Sequence, residues 1–162
     1  MHMNEDIEIN LTSEDLMVAS TKAAVRQLMA IKNNRIGHDH GSRSKRKMAQ
    51  RIGDSVVGNL GEMAVSRYLK KPITSEFEDI KAKDIDGKLE IRTTEYKTGC
   101  LLLHDTSPDE LIYILVVIDD LKAKICGWIE AGNGKLKEYW RDGDPACYYV
   151  PQSKLKSINL LK

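Results

Sequence analysis

The residues best suited to chemistry lie in "DIDGKLEIRTT", Asp84 to Thr94. An aspartate precedes a glycine turn, and Glu90 and Arg92 follow two residues apart. Strand alternation puts Lys88, Glu90, Arg92 and Thr94 on one face and Leu89, Ile91 and Thr93 on the other. The direction of Asp84 then depends on the turn. A two-residue Asp86-Gly87 turn pairs Asp84 with Leu89 and turns it away from Glu90. A three-residue turn, Ile85-Asp86-Gly87, pairs it with Lys88 and brings Asp84, Glu90 and Arg92 onto one face. Two carboxylates on that face repel unless a cation sits between them. Mg²⁺ suits such hard oxygen ligands, with water and a substrate phosphate completing its octahedron. A metal held there activates water and offsets charge developing on the phosphate. The alternative reading of the same residues is an exposed hairpin with ordinary charges.

Other chemistry-bearing residues are more scattered. His38 and His40 flank Asp39 in "GHDHG", within a stretch of glycines and polar residues that reads as a loop, with no further ligand nearby in sequence. Trp128 and Trp140 are candidates for base stacking, although packing between sheet and helix is the commoner fate of a large aromatic. His104 and Asp105 end a strand and are candidates to line the same cleft. Cys100, Cys126 and Cys147 form no CxxC pair and no zinc spacing, so they read as free thiols in a reducing, cytoplasmic setting. The formal net charge is only +1, yet Lys32, Arg35, Arg43, Lys45, Arg46, Lys47 and Arg51 face the single acid Asp39 over one stretch. Such a block can neutralise phosphates or can be a solvated surface.

The elements that must position these residues follow from periodicity. A chain of 162 residues with 41% hydrophobic and 30% charged residues fits one globular domain. No apolar run approaches the roughly 20 residues of a membrane span, and no secretory-signal pattern opens the chain. After an acidic extended start, "LTSEDL" signals a helix capped by Thr12 or Ser13, with Leu16, Ala19, Ala23, Leu28 and Ile31 at near-helical spacing. A second helix is expected over 45–69, with Met48, Ile52, Val56, Leu60, Met63 and Ala64 as its buried stripe. Gly53, Gly58 and Gly61 either break it or permit close packing. Strands are expected over 78–84, 88–94, 99–105, 110–119, 123–131 and 147–151, and a closing helix over "QSKLKSINLL". Helices followed by a mostly antiparallel meander make an α+β fold.

"GNLGEMAVSRYL" (58–69) followed by "DIDGKLEIRTT" resembles the core of the PD-(D/E)xK, restriction endonuclease-like, nuclease superfamily. That pattern has a helix glutamate, an aspartate at a hairpin, then acid-x-lysine on the next strand. "LLLHDTSPDELIYILVV", "CGWIEA" and "YYVPQSKL" are similar to small phage and bacterial members, so the likeness spans about residues 45 to 162, after an N-terminal helix and basic loop over 1–44. The resemblance implies a sheet flanked by helices and Mg²⁺- or Mn²⁺-dependent hydrolysis of DNA in a bacterial or phage-infected cell, by a homodimer in many such enzymes. It makes Glu62 the helix carboxylate, Asp84 and Glu90 metal ligands, and the backbone carbonyl of Ile91 a further ligand. Arg43, Lys45, Arg46, Lys47 and Arg51 become the grip on DNA. Arg92 stands where the family has lysine. Arginine stays charged at any relevant pH, so it positions phosphate but is a poor general base. Lys88 or Lys97 could supply an ammonium instead, or the fold could bind nucleic acid or protein without cutting.

Overall fold

The computed structural model describes residues 5–34, 46–73 and 84–162. Strand β1 (Ile7–Asn10) comes first, so the acidic start is part of the sheet, and Asp6 ion-pairs with Lys124 at 3.4 Å. Helix α1 (Ser13–Lys32) opens on a capping box: the Thr12 hydroxyl accepts from the Asp15 N–H at 3.1 Å, and the Asp15 carboxylate accepts from the Thr12 N–H at 2.8 Å. Two otherwise orphaned donors of the first turn are thereby satisfied. Helix α2 (Met48–Leu69) runs unbroken through its three glycines and stops at Lys70, which adopts a left-handed conformation.

The buried side of α1 differs from the apolar stripe expected for it. Asp15, Ala19 and Ala23 are buried, whereas Leu16, Leu28 and Ile31 are exposed. Small residues let α1 approach α2 closely, and polar bonds then fix the pair. Arg67 meets Asp15 at 2.7 Å, and the Asn59 amide donates to the Ala19 carbonyl at 3.0 Å. In α2, Met48 is exposed, while Leu60, Ala64 and Val65 enter the core.

Strands β2 (Leu89–Thr94), β4 (Ile112–Asp119) and β5 (Lys122–Glu130) join β1 in one sheet of order β1-β5-β4-β2. Four of the five strand pairings among the described residues are antiparallel, as expected, and the parallel pairing of β2 with β4 makes the first sheet mixed. The connection between them crosses away to contribute β3 (Leu101–Leu103) to a second sheet, with order β3-β7-β6, where β6 is Trp140–Arg141 and β7 Cys147–Val150. A parallel neighbour requires such a crossover. The architecture is thus mixed α+β in three layers. Leu60, Ala64, Val65, Leu89, Ile91, Ile114 and Val116 fill the helix side of the first sheet. Leu101, Leu103, Tyr113, Leu115, Val117 and Val150 fill the side facing the second sheet.

The expected closing helix is replaced by two 3₁₀ turns, Gln152–Lys154 and Ile158–Leu161. Between them the Lys156 main chain exchanges hydrogen bonds with Trp128 at 2.8 and 2.9 Å, which holds it extended and interrupts any α-helical ladder. Beside that contact, β5 carries a bulge: Leu115 opposes Gly127 and Val116 opposes Ile125, leaving Cys126 as the extra residue. Gly127 sits at φ +137°, and a side chain there would meet the Lys156 carbonyl at 2.5 Å. A short helix, α3 (Ala131–Gly134), follows β5. No helix among the described residues is long and apolar enough to cross a membrane. All three cysteines are free thiols, two of them buried.

Candidate functional site

The hairpin around Gly87 takes neither of the two turns considered from sequence. Ile85, fully buried, exchanges main-chain hydrogen bonds with Leu89 at 3.3 and 3.0 Å, so the loop is Asp86-Gly87-Lys88. Its first two residues have positive φ, 55° and 66°, the left-handed geometry that Asp and Gly tolerate. Burial decides the register: Ile85 and Leu89 must both face the core, and the extra loop residue absorbs the difference. Asp84, just before this bridge, is near enough to Glu90 for the charge of Glu90 to act on it. The Asp84 carboxylate accepts from the Ile91 N–H at 2.7 Å, which ties it to β2. Residues 78 to 83 of the expected first strand lie outside the described residues.

Glu62 reaches the same place from α2. It is 7% exposed, and its Oε2 is buried with no hydrogen-bond partner. The helix comes this close because Gly61 lies against Thr93: a methyl on Gly61 would overlap the Thr93 Cγ2. Burial first, then the neighbouring Asp84 charge and a hydrogen bond to Asp84, push the Glu62 carboxyl up to about 7. Burial also raises Asp84, with the Glu90 charge acting in the same direction, against the Ile91 N–H, Arg92 and Arg26. Glu62 and Asp84 therefore face each other as acids that share a proton more readily than they both ionise.

Cations approach from two sides. Arg92 Nη1 lies 3.8 Å from Glu90, and its guanidinium rests over the Tyr113 ring at 5.2 Å, on the face away from the helices. From α1, the charges of Arg26 and Lys22 act on Glu62, and Arg26 also on Asp84. The sequence reading missed these two. Their spacing, four residues apart and astride Ala23, is the signal that could have found them.

The remaining candidates are placed as follows. Lys88 is exposed in the hairpin loop, and Lys97 is exposed beyond the far end of β2, in a cleft with Glu8, Asp119, Lys122 and Lys124. Arg46 pairs with Asp54 at 3.3 Å, the Lys47 N–H is bound by the Gln50 side chain at 2.9 Å, and Arg51 is half-buried on α2. Arg43, Lys45, His38, Asp39 and His40 lie outside the described residues. The His104 N–H is bound by Ser107, and the Asp105 carbonyl accepts from Lys135, so both belong to the loop after β3. Trp128 packs in the core, with its indole donating to the Ser157 carbonyl at 2.9 Å. Trp140 lies edge-on to Tyr148 at 4.9 Å.

Among the described residues, no three His, Cys, Asp or Glu side chains stand ready as a metal cage. The donor set nevertheless suits a hard cation. Glu62 keeps one buried oxygen without a partner beside Asp84, and a divalent ion there would offset the repulsion between the two carboxylates. Comparison of the chain with family models, with curated proteins and with solved structures finds no match in any of the three.

Proposed function

We propose that this chain is a restriction endonuclease-like protein of the PD-(D/E)xK type that hydrolyses DNA phosphodiester bonds with Mg²⁺ or Mn²⁺. One observation supports the reading: a helix glutamate, buried and with an unpartnered oxygen, lies beside the hairpin aspartate, whose carboxyl also feels the charge of the strand glutamate. Asp84 and Glu90 would hold the ion, with the Ile91 carbonyl as a further ligand and Glu62 in contact directly or through water. Bound there, the ion supplies an activated water and neutralises developing negative charge. The chain's own residues do the rest. With the ion bound both carboxylates would be ionised, and a Glu62 that contacts the ion through water would be placed to accept a proton from that water. Arg92, held by Glu90 and by the Tyr113 ring, presents a fixed fork to the scissile phosphate. It cannot serve as the base.

Plasmid nicking with Mg²⁺ or Mn²⁺ tests the reading, with wild type set against Asp84→Asn and Glu90→Ala. Metal-dependent cleavage lost in both variants is the expected result. The permanent charge of Arg92 and its contact with Glu90 favour a second reading, a nuclease-fold module that binds nucleic acid without cutting. Salt-sensitive DNA retention with no cleavage under either metal would select it.

A further inference from the structure

Asp15, Ala19, Lys22, Ala23 and Arg26 fall on one stripe of α1 at the helical repeat. Asp15, Ala19 and Ala23 are buried, and Lys22 and Arg26 are half-buried. The stripe faces α2, because Asp15 meets Arg67 near the end of that helix and Ala19 accepts from Asn59 two turns earlier. These contacts set the helices antiparallel and carry the Lys22–Arg26 part of α1 along the flank of α2. Among the described residues, neither cation closes to ion-pair distance with a carboxylate.

A site holding Glu62, Asp84 and Glu90 repels a phosphodiester unless fixed positive charge lies on its approach. Arg92 supplies that charge on the face of the sheet toward Tyr113. The helix side needs its own source, since Arg92 lies across the strand from it. We infer that Lys22 and Arg26 form a phosphate-binding pair on α1, which holds the DNA phosphate neighbouring the scissile one on the helix side of the carboxylates. The inference rests on the nuclease reading above and names the part of the substrate that α1 would engage. Arg26 contributes a planar fork able to bind two phosphate oxygens, and Lys22, one turn away, a point charge. They are positioning residues, acting on substrate placement rather than on the reacting atoms.

The experiment measures binding of a fluorescent DNA duplex across a salt series, with Ca²⁺ as the hard cation, for wild type, Lys22→Gln, Arg26→Gln, Arg26→Lys and the double glutamine variant. Each phosphate contact contributes about 0.9 to the slope of log K against log salt. Each glutamine variant is expected to lower the slope by about that amount and weaken binding roughly tenfold, with the melting temperature unchanged. Arg26→Lys should keep the slope and lose affinity severalfold. Wild-type affinity and slope in both single glutamine variants would overturn the inference, as would loss of affinity tracked entirely by loss of melting temperature in all variants. Cleavage is scored separately. Reduced slopes without wild-type cleavage keep the α1 phosphate pair and sink the nuclease reading. Cleavage with unchanged slopes and KM does the reverse, and a wild type that binds no DNA removes both.

Discussion

Arg92 is constrained more tightly than a surface arginine. Its guanidinium lies over Tyr113 and beside Glu90, and the side chain is only 31% exposed. A cation over a partly desolvated ring is worth about 1 kcal/mol, enough to favour one rotamer of a long side chain. Orientation is where that matters, because misplacing a phosphate-binding group by about 1 Å can cost on the order of 100-fold in rate. On the nuclease reading, Tyr113→Leu is therefore expected to lower kcat for DNA cleavage by roughly tenfold, with KM changed less, since the charge remains but its direction is released. Arg92→Ala should cost at least as much again. Steady-state kinetics on a short duplex make the comparison, and an unchanged kcat in Tyr113→Leu would show that the ring has no positioning role. The spacing of Glu90 and Arg92 was legible from strand alternation alone. The partner of Arg92 was not, because Tyr113 arrives from a parallel strand that no local pattern announces.

At the scale of elements, the contact of α2 with β2 decides whether Glu62 reaches the carboxylates. Gly61 lies against Thr93 so closely that a Cβ would overlap the threonine methyl. Gly61→Ala gains up to about 1 kcal/mol of helix propensity, but overpacking at a rigid sheet costs about 1–3 kcal/mol. The net expectation in urea denaturation is a loss of about 1–2 kcal/mol, recovered in large part by adding Thr93→Ser, which removes the offending methyl. No loss in Gly61→Ala, or no recovery in the double variant, would refute the contact. This also shows what the sequence could yield about the fold. The glycines in α2 announced either a break or a close approach, and only the facing residue distinguishes the two. The stripe of α1 misled because Leu16, Leu28 and Ile31 outweigh alanines on any hydrophobic scale, although the alanines make the interface. The hairpin register hung on which residue of "DIDGK" had to be buried, and Ile85 settled it through contacts distant in sequence. The positions of β2, β3, β4, β5 and β7 were readable from apolar runs, whereas β1 and β6 were not expected as strands. Division into two sheets was not readable, because it depends on a crossover.

Across the whole molecule, two buried acids set opposite limits on stability. Asp15 is held below the usual carboxylate range, first by the Arg67 hydrogen bond, so the unfolded chain binds more protons than the folded one in acid. Its contribution is present above its ordinary value of 3.8 and is lost as pH falls below it. Glu62 works the other way. Its folded value of about 7 exceeds the ordinary 4.5, so the folded state holds the extra proton between these limits and stability falls as pH rises through them. A shift of this size corresponds to on the order of 3 kcal/mol, and Asp84, raised as well, adds in the same sense. In EDTA the protein should therefore be most stable near pH 4–5, and urea midpoints should decline from pH 5 to pH 8. Glu62→Gln should flatten that decline and Asp15→Asn the acid limb, each leaving the other unchanged. On the proposed metal site, a divalent ion would favour the ionised carboxylates and bind only the folded arrangement, so Mg²⁺ at about 100 times its dissociation constant should restore roughly 2.7 kcal/mol at pH 8. The same addition should do far less at pH 5, where protons compete for the carboxylates. Equal stabilisation at both values would mean that the ion binds elsewhere than at Glu62 and Asp84.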